Sequence, residues 1–150
     1  MSEPDYFDDF DRRWSRRDLS RAIGWKRLAA WDPASRILRA VFEVRPEFCH
    51  SNGTIAQGGF ITAWLDASMA QATIRDTQFE NNIATLELKV SFIKSVPQGE
   101  VIAEGRILKR GRRVVFLEGS LFDRTGSDLL ATATSTGLIV PFVQEKESAE

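Results

Sequence analysis

Hydrophobic and polar positions alternate along most of this chain, and the alternation is interrupted once. Over residues 86–93, Leu86, Leu88, Val90 and Phe92 point one way while Glu87, Lys89 and Ser91 point the other. A period of two is the mark of a half-buried strand. Residues 37–44 repeat it, with Leu38, Ala40, Phe42 and Val44 on one side. Residues 25–31 read as a first strand, closed by the turn pair Asp32-Pro33. Residues 101–108 and 114–122 flank Lys109-Arg110-Gly111-Arg112, which has the composition of a short hairpin turn. Asp123-Arg124-Thr125-Gly126 then turns the chain into a last strand, 129–140, which stops at Pro141. Four consecutive strands on short turns predict an antiparallel meander.

Residues 58–74 break this rhythm. They are rich in helix formers (Ala63, Leu65, Ala67, Met69, Ala70, Gln71, Ala72), and apolar residues occupy every side, the pattern of a buried helix. One long buried helix and a curved antiparallel sheet predict an α+β architecture with the sheet wrapped around the helix. The edges of so short a sheet need cover, which favours edge-to-edge dimerisation. At the N-terminus, Phe7, Phe10 and Trp14 fall on one helical face, and Arg12, Arg13, Arg16, Arg17 and Arg21 cover much of the rest. Residues 1–23 are therefore expected to form an amphipathic helix whose basic face is solvated or attracts an anionic ligand. The main domain is expected over 24–142, and a charged, disordered tail over 143–150.

Bulk properties narrow the chemistry. A chain of 150 residues with 43% hydrophobic and 27% charged residues fits one soluble domain. The net charge of −1 offers no footprint for nucleic acid or an anionic membrane. One cysteine, Cys49, and one histidine, His50, exclude a disulfide framework and argue against a bound metal. The start of the chain lacks the apolar core of a signal peptide, and no stretch is apolar enough to span a bilayer, so a cytoplasmic location is expected.

Candidate chemistry gathers at the helix. Asp66 is the only charge among the 17 residues from 58 to 74. Burying an unpaired carboxylate costs several kcal/mol, and Asp is a poor residue for a helix interior. Either it has a buried partner, such as Thr62 or an arginine from the sheet, or it is a catalytic or ligand-binding group suited to act as general base. Gln57-Gly58-Gly59 opens the helix. Two glycines permit close backbone approach, and the free N–H groups of a first turn suit a carbonyl oxygen that gathers negative charge. A tight loop-to-helix joint uses the same residues. His50, Ser51 and Asn52 form a polar cluster before Gly53. His50 reads as a base or a solvated turn residue, and the basic hairpin at 109–113 as a solvated turn or a phosphate contact.

The segment from His50 through Gln57-Gly58-Gly59 to Asp66 resembles the hotdog-fold thioesterases, most of all the branch named after the phenylacetic-acid-degradation thioesterase. Similar too are Thr85-Leu86-Glu87-Leu88-Lys89-Val90-Ser91-Phe92, the Gly111-Arg112 hairpin and the turn from Asp123 to Gly126. The likeness covers about 24 to 140. It implies a hotdog fold that dimerises through a continued sheet, often as tetramers, and hydrolyses acyl-coenzyme A without metal or separate cofactor. By the family pattern, Gly59 N–H polarises the thioester carbonyl, Asp66 of the other protomer activates water or attacks directly, and Gln57 hydrogen-bonds near the thioester. Gly58 and Asn52 fall in the substrate-binding turn, Thr85 at a position that orients the water, and Arg110 and Arg112 near the coenzyme A phosphates. Two departures stand out. The spacer from Gly53 to Gln57 is one residue longer than the commonest pattern, so Ser51 and Asn52 both remain candidates for the family's Asn. Gln57 replaces a His, so it can orient but cannot carry a proton. Two rival functions stay open: a non-catalytic acyl-coenzyme A-binding module, and a dehydratase or hydratase.

Overall fold

The computed structural model describes residues 3–142, with side chains from Asp8 onward. Phe7's side chain and the tail at 143–150 lie outside the described residues. Helices α1 (Glu3–Arg16) and α2 (Asp18–Ala22) precede strands β1 (Trp25–Asp32) and β2 (Ile37–Val44). A small ribbon, β3 (Cys49–His50) and β4 (Ile55–Ala56), leads into the long helix α3 (Gly58–Asp76). Strands β5 (Asn81–Phe92), β6 (Gly99–Arg110), β7 (Val114–Asp123) and β8 (Leu129–Pro141) follow. The six long strands form one antiparallel sheet in the order β1-β2-β6-β7-β8-β5, with α3 packed on it, as the α+β hotdog reading requires.

The topology corrects the expected meander. Of those four strands only β6, β7 and β8 follow one another in the sheet, while β5 pairs with β8 and β6 pairs with β2. The connection at 93–98 explains this. Val96 is fully buried, and its carbonyl accepts from Ala56 N–H at 2.8 Å, so the chain is carried past β4 instead of turning back. Placed at the edge, β5 does not turn its whole apolar set inward. Leu88 and Val90 pack against the core, whereas Leu86 and Phe92 are 60% and 57% exposed. A bulge between Thr85 and Glu87 puts Leu86 out of register with β8.

The helix seats on the sheet with almost no gap. A Cβ at Gly105 of β6 would lie 2.3 Å from the Ser68 carbonyl oxygen and 2.7 Å from Met69 N, so only glycine fits. At Gly119 of β7 the neighbours are Leu65 and Met69 side chains, at 3.3 and 3.5 Å. Trp64, fully buried, donates its indole N–H to the Ile23 carbonyl at 2.6 Å and ties the helix to the end of α2.

The C-terminal end of α3 extends past the predicted limit, through Arg75 to Asp76. Arg75 has 1% side-chain exposure. It donates to Asp11 of α1 and to Gln71 one turn earlier. The Phe10 and Phe79 rings lie 5.7 and 5.6 Å from its guanidinium carbon. Burial lowers its pKa, and the Asp11 carboxylate offsets that. Removing one partner of such a buried pair costs about 3–5 kcal/mol, so this contact fixes α1 against α3. In the turn after β7, Asp123 accepts from Asp128 N–H, Thr125 Oγ1 and Ser127 N–H, which holds its pKa below the ordinary carboxylate range.

Gly105→Ala is expected to destabilise the fold by about 3 kcal/mol, because neither backbone can yield. Denaturant unfolding of the variant measures it, and a loss below about 1 kcal/mol contradicts the packing described.

Candidate active site

The start of α3 is built by Gln57. Its backbone is extended, with φ −69° and ψ 137°, and its Oε1 accepts from Gly59 N–H at 2.6 Å. The Phe60 and Ile61 N–H groups are satisfied by the Gln57 carbonyl, at 3.0 and 3.4 Å. Gly58 lies beneath Phe92 of β5, whose ring would be 3.0 Å from a Cβ placed there. Beside the helix start runs a groove of about 420 Å³, walled by His50, Ile55, Gly58, Ile61, Phe92 and Lys94. The N-terminal end of α3, with the positive end of its dipole, therefore opens next to apolar walls.

Asp66 differs from the sequence expectation in two ways. It is half-buried rather than buried, on a face of α3 that the edge strand β5 reaches but does not cover. Nor is its partner Thr62 or an arginine: Thr62 back-bonds to the Gly58 carbonyl at 2.8 Å. Instead Thr85 Oγ1 donates to Asp66 Oδ1 at 2.8 Å, across from β5. Thr85 sits where the bulge begins, and such bulges commonly re-aim a side chain. A carboxylate held by one hydroxyl keeps its second oxygen available to take a proton.

Seven residues separate Gly59 from Asp66, nearly two whole helical turns. They share one face of α3 and stand about 10 Å apart along its axis. One carbonyl cannot meet both groups of the same chain.

The remaining candidates lie elsewhere. Ser51, Asn52 and Gly53 take positive φ values of 53°, 58° and 75° at the tip of the β3–β4 ribbon, with Asn52 exposed. Gln98 braces this tip by donating to the Gly53 carbonyl at 2.6 Å. His50 is exposed, its Nδ1 2.9 Å from Ser51 Oγ. Arg110 Nε donates to Asp76 Oδ2 at 2.5 Å, while Arg112 is exposed in the hairpin. Asp76 ends α3, about 25 Å along the axis from Gly59, so within one chain both arginines stand at the opposite end of the helix. Among the apolar residues of α3, Trp64 and Met69 belong to the core. Ile61 reaches the groove. Phe92 was missed as a site residue because its alternation matched the core face of β5.

The sheet wrapped on one long helix, with a Gly-Gly helix start and a downstream carboxylate, defines a hotdog-fold protein. The sequence fits the model of the thioesterase superfamily over residues 53–134, more than half of its 150 residues, and the chain belongs to that family. It is 30% identical over 92 residues to a candidate esterase of Saccharolobus solfataricus, a match spanning 59% of this chain and 63% of that protein. The chain thus spans less than two thirds of that relative's length. Among solved structures, a phenylacetic acid degradation-related candidate thioesterase of Ralstonia eutropha superposes with a TM-score of 0.72 at 27% identity, covering 80% of this chain and 88% of that one. A Streptococcus mutans protein solved with acetyl coenzyme A gives a TM-score of 0.67 at 18% identity, covering 79% and 90%.

Thr85→Val keeps the shape of the side chain and removes the donor to Asp66. Turnover of an acyl thioester is expected to fall about tenfold or more, and Thr85→Ser to restore most of it. Equal rates for Val and Ser at this position would show that the hydroxyl has no part in the reaction.

Proposed function

We propose that the protein hydrolyses acyl-coenzyme A thioesters at sites formed between two copies of the chain. The observation that carries this reading is the shared helix face on which the Gly59 N–H and the Thr85-held Asp66 stand about 10 Å apart. The distance is too great for one carbonyl within one chain, yet suited to two sites related by a two-fold axis. Strand β5, which carries Thr85 and Phe92, is the sheet edge beside both groups. Continuing the sheet across that edge satisfies its unpaired backbone groups and covers Leu86 and Phe92. The working form is accordingly a homodimer or homotetramer, in the cytoplasm. The acetyl coenzyme A held by the Streptococcus mutans protein supports the ligand class.

In this mechanism the thioester carbonyl oxygen accepts from Gly59 N–H, where the dipole of α3 stabilises the negative charge that develops. Asp66 of the second copy takes a proton from water as the hydroxide adds to the carbonyl carbon. The tetrahedral intermediate collapses by breaking its C–S bond. The leaving coenzyme A thiolate takes the proton back from Asp66, giving free acid and thiol. Thr85 holds the carboxylate throughout. A coloured thiol-release assay over short, medium, long and aryl acyl esters identifies the acyl group.

Asp66→Asn is expected to lower turnover about 10²–10⁴-fold with the oligomer intact, the usual worth of a positioned general base. Turnover within about twofold of the parent, with size-exclusion profile unchanged, overturns the mechanism.

A further inference from the structure

The N–H that the mechanism assigns to the substrate is already in use. Gln57 Oε1 holds Gly59 N–H at 2.6 Å, and the amide lies across the glycine, so that a Cβ at 59 would meet Oε1 at 2.7 Å, Cδ at 3.6 Å and Nε2 at 3.8 Å. Both residues are exposed. Gly59 has no positive φ, so its backbone conformation does not demand glycine. What the missing side chain provides is access to its own N–H, for the amide now and for a ligand later.

We propose that Gln57 is a displaceable internal cap: its amide oxygen occupies the carbonyl site, and the substrate carbonyl replaces it. The inference rests on the reading of Gly59 as the carbonyl-polarising donor. An exposed cap of this kind is worth about 0.5–2 kcal/mol, equivalent to a binding penalty of about 2- to 30-fold, small enough for a ligand to overcome. An amide also changes roles on displacement. Its Oε1 accepts in the closed arrangement, and its Nε2 can donate to the incoming carbonyl oxygen in the open one. A carboxylate at 57 can only accept, and binds the helix N-terminus more strongly through its charge.

The test uses two unhydrolysable coenzyme A conjugates, a ketone that keeps the carbonyl and a thioether that lacks it. Their inhibition constants are measured on the full chain and on Gln57→Glu. The ketone is expected to bind Gln57→Glu about tenfold more weakly at neutral pH, and the thioether within about twofold of the parent. Equal weakening of both conjugates overturns the proposal, since it reports only charge repulsion of coenzyme A. The Gly59 amide resonance gives a second readout. It should shift in Gln57→Ala and on binding the ketone, but not on binding the thioether. An unmoved resonance in Gln57→Ala removes the cap while leaving the thioesterase reading in place. If neither conjugate binds the parent protein and no acyl ester is cleaved, both readings fall together.

Discussion

The contact on which this molecule depends is the one between the backbone of α3 and the backbone of β6. Gly105 leaves 2.3 Å between an imagined Cβ and the Ser68 carbonyl, so the helix lies as close to the sheet as two backbones permit. That contact fixes distance and also rotation. With Ser68 pinned to the sheet, Gly59 and Asp66 fall about 180° and 160° around the helix, on the side turned away from β6. The apolar residues Leu65 and Met69 face Gly119, where a second missing side chain accommodates them. The core thus sets the bearing of the two polar groups without touching either.

Much of this could be read from the chain. Strands 37–44 and 101–108 were legible because their alternation coincides with burial, and the helix because its apolar residues ignore that period. The order of strands was not legible. β5 has the clearest alternation in the sequence, yet it lies at the edge next to β8. Its place is set by the buried Val96 in the connection that follows, not by its own residues. The pairing of Arg75 with Asp11 joins positions 64 apart and has no local signature. The tight seat did leave a mark, since glycine inside a strand often signals close approach of another backbone. Gly105 and Gly119 are two such positions.

The site was legible in part. Gln57, Gly59 and Asp66 stood out from residue type and spacing, Thr85 only through the family resemblance, and the fold joins them as two bonded pairs rather than one cluster: Gln57 with Gly59, Asp66 with Thr85. Sequence spacing could not reveal that Gln57 turns back onto the glycine, because capping depends on a side-chain rotamer. Nor could it reveal that Asp66 is open to solvent on one side, since that follows from how far the sheet wraps. Both facts belong to the same picture, a helix with a donor at one station and a carboxylate two turns on.

That separation makes the central claim testable: each site joins the Gly59 of one copy to the Asp66 of another. Asp66→Asn removes the base, and Gly59→Pro removes the N–H in the first turn of α3, where that N–H bonds the Gln57 side chain and no intrahelical bond is lost. Each variant alone is expected to be inactive. Unfolded together in equal amounts and refolded, half of the dimers are mixed, and each mixed dimer holds one intact site. Thiol release at about a quarter of the parent rate is the predicted result. A mixture that stays as inactive as its components, with mixed dimers demonstrated by mass, would contradict a shared site.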